Sequence, residues 1–290
     1  MNVLPRLNEI CNTSTIVRSK NVVFFFGLIF FIVPVSAQEL FTFTEPASNM
    51  PAHAGGIRIT NTLMDENNSR KTNIHIMPEL MYGFHKNIMV HATAFISNRN
   101  HSLETEGAGL YARYRFFSKD DLHRHLRMAV FGRLSFNNSD IHQEEIEING
   151  HNSGFELGYI ATQLLQKTAI SSTLSFEKAA NNSTYKFPAN QSATAFNYSL
   201  SVGSLILPRE YTSFKQTNMN IMVEMLGQTL PKNGRSFLDV APAVQFIFNS
   251  QARLDVGYRF QLSNSMERTA PEGFLLRLEY LLFDPFGTRK

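Results

Sequence analysis

Leu254-Asp255-Val256-Gly257-Tyr258-Arg259-Phe260-Gln261-Leu262 sets an apolar side chain at every second position and a polar or small one between. A period of two belongs to a β-strand, whose successive side chains point to opposite faces; a helix would repeat its apolar residues every three or four positions. The polar face of this strand carries Asp255 and Arg259, with Arg253 just ahead of them, so charges of both signs share one side.

The pattern recurs through the chain from Gly55 onward. Runs opening at Ile57, Ile74, Ile88, Leu110, Leu126, Phe155, Ile170, Phe196, Met219, Leu238, Leu254 and Phe274 make twelve candidate strands. Their connections alternate in length. His85-Lys86-Asn87, Gln166-Lys167 and Asn249-Ser250-Gln251 are tight, whereas Asn137 to Asn152 and Lys178 to Gln191 are long. Bacterial outer-membrane barrels have an even strand number, short periplasmic turns and long outer loops. With the N-terminus periplasmic, only Leu207 to Thr217 breaks the alternation. A soluble β-sandwich would alternate in the same way. Strand length argues against it, because about 9–11 residues cross a bilayer at a tilt and ordinary strands run to about 5–6. Aromatic residues near strand ends, such as Tyr82, Phe84, Phe116, Phe117, Phe136, Phe246 and Phe248, suit interfacial girdles. The expected fold class is therefore all-β, a closed antiparallel transmembrane barrel of about 12 strands. Pro78 and Pro242 fall inside strands and each removes a ladder donor, so bulges are expected there.

Ahead of the barrel, Arg6, Arg18 and Lys20 precede the apolar run Val22 to Val33, and Val35-Ser36-Ala37 offers small residues for cleavage. Residues 1–37 read as a cleaved signal peptide, 38–54 as a periplasmic N-terminal segment and 55–290 as the barrel domain. The single cysteine, Cys11, would leave with the signal, so the mature chain must rely on burial and backbone pairing without disulfides. Charged residues make up 18% of the 290-residue chain and its formal net charge is +3, which does not suit a nucleic-acid partner.

If the apolar face meets lipid, the other face lines a lumen. It carries Arg58, Arg113, Arg115, Arg127, Arg133, Arg253, Arg259 and Arg277 against Glu79, Glu156, Glu177, Glu224, Asp239, Asp255 and Glu279. The lysines fall instead at strand ends, in connections or in the tail. Guanidinium forks hold carboxylates bidentately in a crowded space, while ammonium groups prefer full hydration. Arg58, Arg113, Arg115, Arg127, Arg133, Glu156, Glu224, Asp239, Arg253, Asp255, Arg259, Arg277 and Glu279 are the expected constriction residues. Between eight strands, filled by side chains, and sixteen to eighteen, which leave an aqueous channel, about twelve implies a narrow or partly occluded pore.

The long loop from Asn137 to Asn152 gathers imidazoles and carboxylates, and Asp140, His142, Glu144 and His151 are weak candidates for divalent-metal ligands. Their spacing matches no recognised metal motif, and a solvated acidic loop is the plainer expectation. His123 and His125 sit in a charged turn beside Asp120 and Asp121. No Gly-x-Ser-x-Gly elbow, phosphate-cradling glycine loop or His-Glu-x-x-His helix occurs, so neither an enzyme nor a cofactor is expected.

Phe41-Thr42-Phe43-Thr44-Glu45-Pro46, the segment Phe136-Asn137-Asn138-Ser139-Asp140-Ile141-His142 and the terminal strand Phe274 to Phe283 resemble those of outer-membrane β-barrels. More distantly, the chain is similar to the channel family linked to the meta-pathways of phenol degradation. That resemblance implies a channel for hydrophobic solutes and carries no functional residue across. One departure is the tail Asp284 to Lys290, since such barrels often finish on the aromatic of the last strand. The sequence thus points to a passive outer-membrane channel for a small solute, with outer-membrane lipid around it. A closed-lumen surface or structural barrel is the alternative from another class, and a lipid-active barrel enzyme is a third.

Overall fold

The computed structural model describes residues 41–65, 72–99, 102–121, 124–210, 213, 215–283 and 285–287. The signal-peptide reading of 1–37, His123 and the start of the C-terminal tail at Asp284 lie outside them. Twelve strands form one closed antiparallel barrel: β1 Gly55–Asp65, β2 Thr72–His85, β3 Ile88–Ser97, β4 Glu104–Asp121, β5 Arg124–Asn137, β6 Gly154–Leu165, β7 Thr168–Ala179, β8 Thr194–Leu207, β9 Asn218–Thr229, β10 Ser236–Phe248, β11 Ala252–Asn264 and β12 Glu272–Leu282. Each strand pairs with its sequence neighbours, and β1 closes on β12 from Gly55↔Leu282 to Asp65↔Glu272. Closure leaves no free sheet edge, so every strand finds ladder partners on both sides.

The alternation read from sequence sorts cleanly onto two faces. Leu80, Leu134, Leu157, Leu174, Leu262 and Phe274 are exposed on the outside, whereas Arg58, Arg113, Glu224, Asp239 and Asp255 are buried on the inside. An outer face this apolar has water as a poor solvent and hydrocarbon as a good one. Aromatic pairs sit near the strand ends, as where Tyr82 meets Phe84 edge-on with ring centres 4.9 Å apart.

Neither strand proline marks a bulge, contrary to expectation. Around Pro78 the β2–β3 register reads Ile76↔Ile96 and then Glu79↔Thr93, and around Pro242 the β10–β11 register reads Val240↔Phe260 and then Ala243↔Gly257. Register is kept across both, and the ladder simply skips the residues that cannot pair. The bulges lie elsewhere, for example between Arg115 and Phe117 in β4 and between Leu205 and Leu207 in β8.

One end of the barrel carries the tight turns and the start of β1, and the other carries the long loops. Residues 41–54, read from sequence as a segment ahead of the barrel, instead enter the lumen from the turn end; we call them the strap. Pro51, Ala52 and His53 stay exposed, but the apolar side chains deeper in the segment leave water because the inner wall there is itself apolar. Phe41 and Phe43 pack on Leu164, Ala169, Met222 and Ala243, Ala47 joins Tyr111, Ala129, Phe131 and Ile160, and Met50 joins Met81, Met89 and Leu281. Gly257 makes room for the strap, since a Cβ there would lie 2.7 Å from the Phe43 ring.

Candidate functional site: an occupied lumen

The strap is fastened by the residues expected to form a constriction. The Glu224 carboxylate on β9 accepts the backbone N–H groups of Thr42, Phe43 and Thr44, each at 2.8 Å, and the Thr44 hydroxyl at 2.7 Å. Arg113 on β4 donates to the Pro46 carbonyl at 2.5 Å, the Ser48 carbonyl at 2.7 Å and the Asn49 Oδ1 at 2.9 Å. Arg127 on β5 donates to the Ser48 hydroxyl at 2.8 Å, and Thr162 on β6 receives the Ala47 N–H at 2.9 Å. Glu45 of the strap meets Arg58 at 2.6 Å and Arg113 at 3.3 Å. Charge-assisted bonds of this kind are roughly twice as strong as neutral ones.

Behind Glu45 lies an ion-pair chain across the wall. Arg58 on β1 also holds Glu279 at 2.7 Å and Glu79 at 3.1 Å, and Arg253 on β11 bridges Glu279 at 3.2 Å and Asp255 at 3.1 Å. Arg277 on β12 stands 3.9 Å from Asp255 and donates to Thr60 Oγ1 at 3.1 Å. Arg115 lies apart. It keeps the inward register opposite Ala129, just ahead of the β4 bulge, but stands half-buried at the turn end, where it donates to the Lys86 carbonyl of the β2–β3 turn at 2.8 Å.

At the opposite end, residues 138–153 fold inward instead of standing in solvent; we call them the lid. Glu145 reaches Arg268 at 2.8 Å and Arg259 at 3.4 Å, and Asp239 on β10 meets the same two arginines at 2.8 and 2.6 Å. Arg268 also stacks over Phe237 with its guanidinium carbon 3.8 Å from the ring centre. Gln228 on β9 accepts the Ile146 N–H at 2.9 Å and donates to the Ile146 carbonyl at 2.7 Å, as a strand neighbour would. Ile146 and Ile148 close the lid's apolar side against Leu230, Phe237 and Met266. Gly150, at φ 140°, permits close approach, because a Cβ there would lie 2.2 Å from the His75 ring.

The weak metal candidates are therefore spread among other tasks. Asp140 is exposed and caps the Ile141 N–H at 2.8 Å, Glu144 pairs with Arg235 at 2.5 Å, and His151 packs against Arg99 and faces Glu147 at 3.4 Å, while His142 stays at the surface. Among the described residues no group of three or more His, Cys, Asp or Glu side chains is arranged to hold a metal ion.

Lid electrostatics follow from burial and neighbours. Burial acts to raise the Glu145 carboxyl, but Arg268 and Arg259 outweigh it and hold the group below the ordinary value. Burial, reinforced by the charge of Glu145, holds Glu147 up to about 7 even though Arg99, Arg259 and Arg268 pull the other way. Burial, then Arg99, hold His151 well below the usual imidazole range. The closed lid thus keeps a proton on Glu147 that a released lid surrenders between 4.5 and about 7, so closure weakens as pH rises through that window. His151 acts in the opposite sense below 6.5, so only the comparison of variant with parent isolates Glu147. Glu147→Gln is expected to slow hydrogen exchange of the amides of residues 143–149 severalfold at pH 8 and to leave it unchanged at pH 4. Equal exchange in variant and parent at pH 8 would remove Glu147 from this role.

Between strap and lid remains a partly open space of about 250 Å³, lined by both insertions and by Tyr111, Phe131, Arg133, Glu156 and Glu177 of the wall. Arg133 stands 3.4 Å from Glu156 and 5.3 Å over the Tyr111 ring. A neighbouring space of about 160 Å³ shares Phe43, Glu145, Glu147 and Asn149 in its lining. Sequence reading placed Glu224, Asp239 and the arginines on the inner face but gave no task to Glu45, Gln228 or Arg268, which fasten the two insertions. The available signal lay near the turns, where Met89-Val90, Leu164-Leu165, Met222-Val223 and Leu281-Leu282 are apolar on both faces and so demand an apolar occupant inside.

No family model matches the sequence, and no curated protein matches it. Solved structures do. An outer-membrane channel from Pseudomonas putida F1 aligns with a TM-score of 0.52 at 12% identity over 84% of this chain and 99% of its own. The fold is shared with an outer-membrane channel. The NanC porin, at a TM-score of 0.46 and 9% identity over 79% of this chain and 98% of its own, and the KdgM porin, at 0.44 and 8% over 78% and 98%, are also similar. At these identities the likeness is one of architecture, and the strap, lid and cavity must be read from this chain's own residues.

Proposed function

We propose that the chain is an outer-membrane barrel that passes a small solute passively, with the strap and the lid as two gates in series. The carrying observation is the cavity held between two inserted segments, inside a barrel whose outer band is apolar. A purely structural barrel of this size needs only a filled interior. Here the interior is instead filled by segments at the two ends and left open between them. Surrounding lipid would contact the exposed leucines and aromatics, and the solute would exchange through the cavity when the gates part. No step of this cycle requires a catalyst or cofactor.

The second reading, a closed-lumen surface or structural barrel, draws on the same fastenings, since Glu224 and Arg268 hold both segments through buried bonds. Single-channel recording of the mature chain in a planar bilayer separates the two. Brief, infrequent steps are expected for the parent protein. Silence from the parent, and also from variants in which both segments are unfastened, would decide for the closed barrel.

A further inference from the structure

We propose that the cavity between strap and lid is a binding site for a small organic ammonium ion, held by Glu156 and Glu177 beside the rings of Tyr111 and Phe131. This deepens the channel reading by naming its solute class, and it rests on that reading only for the solute's passage, not for its binding.

Charge in the cavity is lopsided although the lumen as a whole is balanced. Five carboxylates line it, those of Glu45, Glu145, Glu147, Glu156 and Glu177, against the single guanidinium of Arg133. Glu45 is neutralised by Arg58 and Arg113, and Glu145 by Arg268 and Arg259. Glu147 faces His151 at 3.4 Å, which leaves Glu156 and Glu177 to share Arg133. Glu156 and Glu177 stand directly opposite each other on β6 and β7, an arrangement that is unfavourable for like charges. Arg133 reaches Glu156, whereas Glu177 receives neutral side-chain amides, that of Gln228 at 3.3 Å and that of Asn197. Among the described residues no cation lies within ion-pair distance of Glu177. The other lumen arginines are engaged by strap, lid and wall carboxylates, so they do not offset this excess.

A second, independent feature marks the same space. The Tyr111 hydroxyl has no hydrogen-bond partner although the residue is 5% exposed, and the Ser199 hydroxyl on the same cavity wall is likewise buried and unpaired. Buried polar groups are rarely left in this state unless a ligand or ordered water completes them. Tyr111 and Phe131 lie with ring centres 5.4 Å apart, and aromatic faces attract organic cations. At about 250 Å³ the space is at the small end of ligand pockets and suits a single small molecule, not a polymer.

The test uses the full mature barrel in detergent, with calorimetric titration of 1,4-diaminobutane, its neutral analogue 1,4-butanediol and its anionic analogue succinate. The diamine is expected to bind, with the diol and succinate at least tenfold weaker. Glu177→Gln and Glu156→Gln, each checked for an intact heat-modifiable band, are expected to weaken diamine binding at least tenfold. Equal binding of the diol, preference for succinate, or undiminished diamine binding by Glu177→Gln would overturn the proposal. The ranking of the three ligands on the parent protein needs no variant and stands even where a substitution impairs folding. Diamine binding without bilayer current would uphold the site while sinking the channel reading; current with no diamine binding would sink the site alone.

Discussion

Glu224→Ala is expected to raise the open probability in planar bilayers at least about tenfold, because it removes the acceptor that fastens the strap. Three backbone N–H groups and one hydroxyl converge on that carboxylate. Hydrogen bonds to a charged group contribute about 1.5–3 kcal/mol each in net terms. A released strap regains water for the same donors, so a net loss of about 2 kcal/mol for the set is a modest expectation, and each 1.4 kcal/mol is about a factor of ten. The barrel wall should survive, since Glu224 contributes a side chain and not a ladder bond. Glu224→Gln should fall between parent and alanine: one amide oxygen still accepts from Thr42 and Phe43, while the new NH₂ faces the Thr44 N–H. Protease sensitivity of residues 41–54 should rise in step with conductance. An unchanged open probability with an exposed, cleavable strap would show that the strap is not a gate.

Arg268→Ala is expected to release the lid. The guanidinium is fully buried, pairs with both Glu145 and Asp239, and covers the Phe237 ring. Removing one partner of a buried ion-paired network costs about 3–5 kcal/mol, largely because the remaining charges are stranded. Arg259 still reaches both carboxylates and will offset part of that loss. Amide exchange of residues 143–149 should therefore accelerate by at least about a hundredfold, a shift of about 2.7 kcal/mol. On the proposal that strap and lid are gates in series, Glu224→Ala and Arg268→Ala together should multiply their separate effects on open probability. Lid amides that stay protected in Arg268→Ala would show that the apolar packing of Ile146 and Ile148 holds the lid without the ion pairs.

Much of the wall was legible in advance. A period of two in stretches such as Leu254 to Leu262 leaves no freedom about which side chains share a face, and alternating loop lengths order the strands. The proline positions were legible too, but not their effect: whether a missing donor forces a bulge or merely an unpaired step depends on the neighbouring strand's ability to keep register, as β3 and β11 do. Glu45 illustrates the limit inside the lumen. Nothing local distinguishes it from a solvated glutamate in an exported tail, and its role appears only when Arg58 and Arg113, far along the chain, converge on it.

The sequence by itself determined the twelve-stranded barrel, its apolar outside and its charged inside, because strand periodicity is a local property written residue by residue. Only the tertiary structure decided that this interior is occupied from both ends, that Glu224 and Arg268 are fastenings, and that Glu156 and Glu177 share one underneutralised cavity. Those facts depend on which side chains meet across the lumen, and such meetings are set by closure of β1 on β12 and by the apolar wall that draws the strap in.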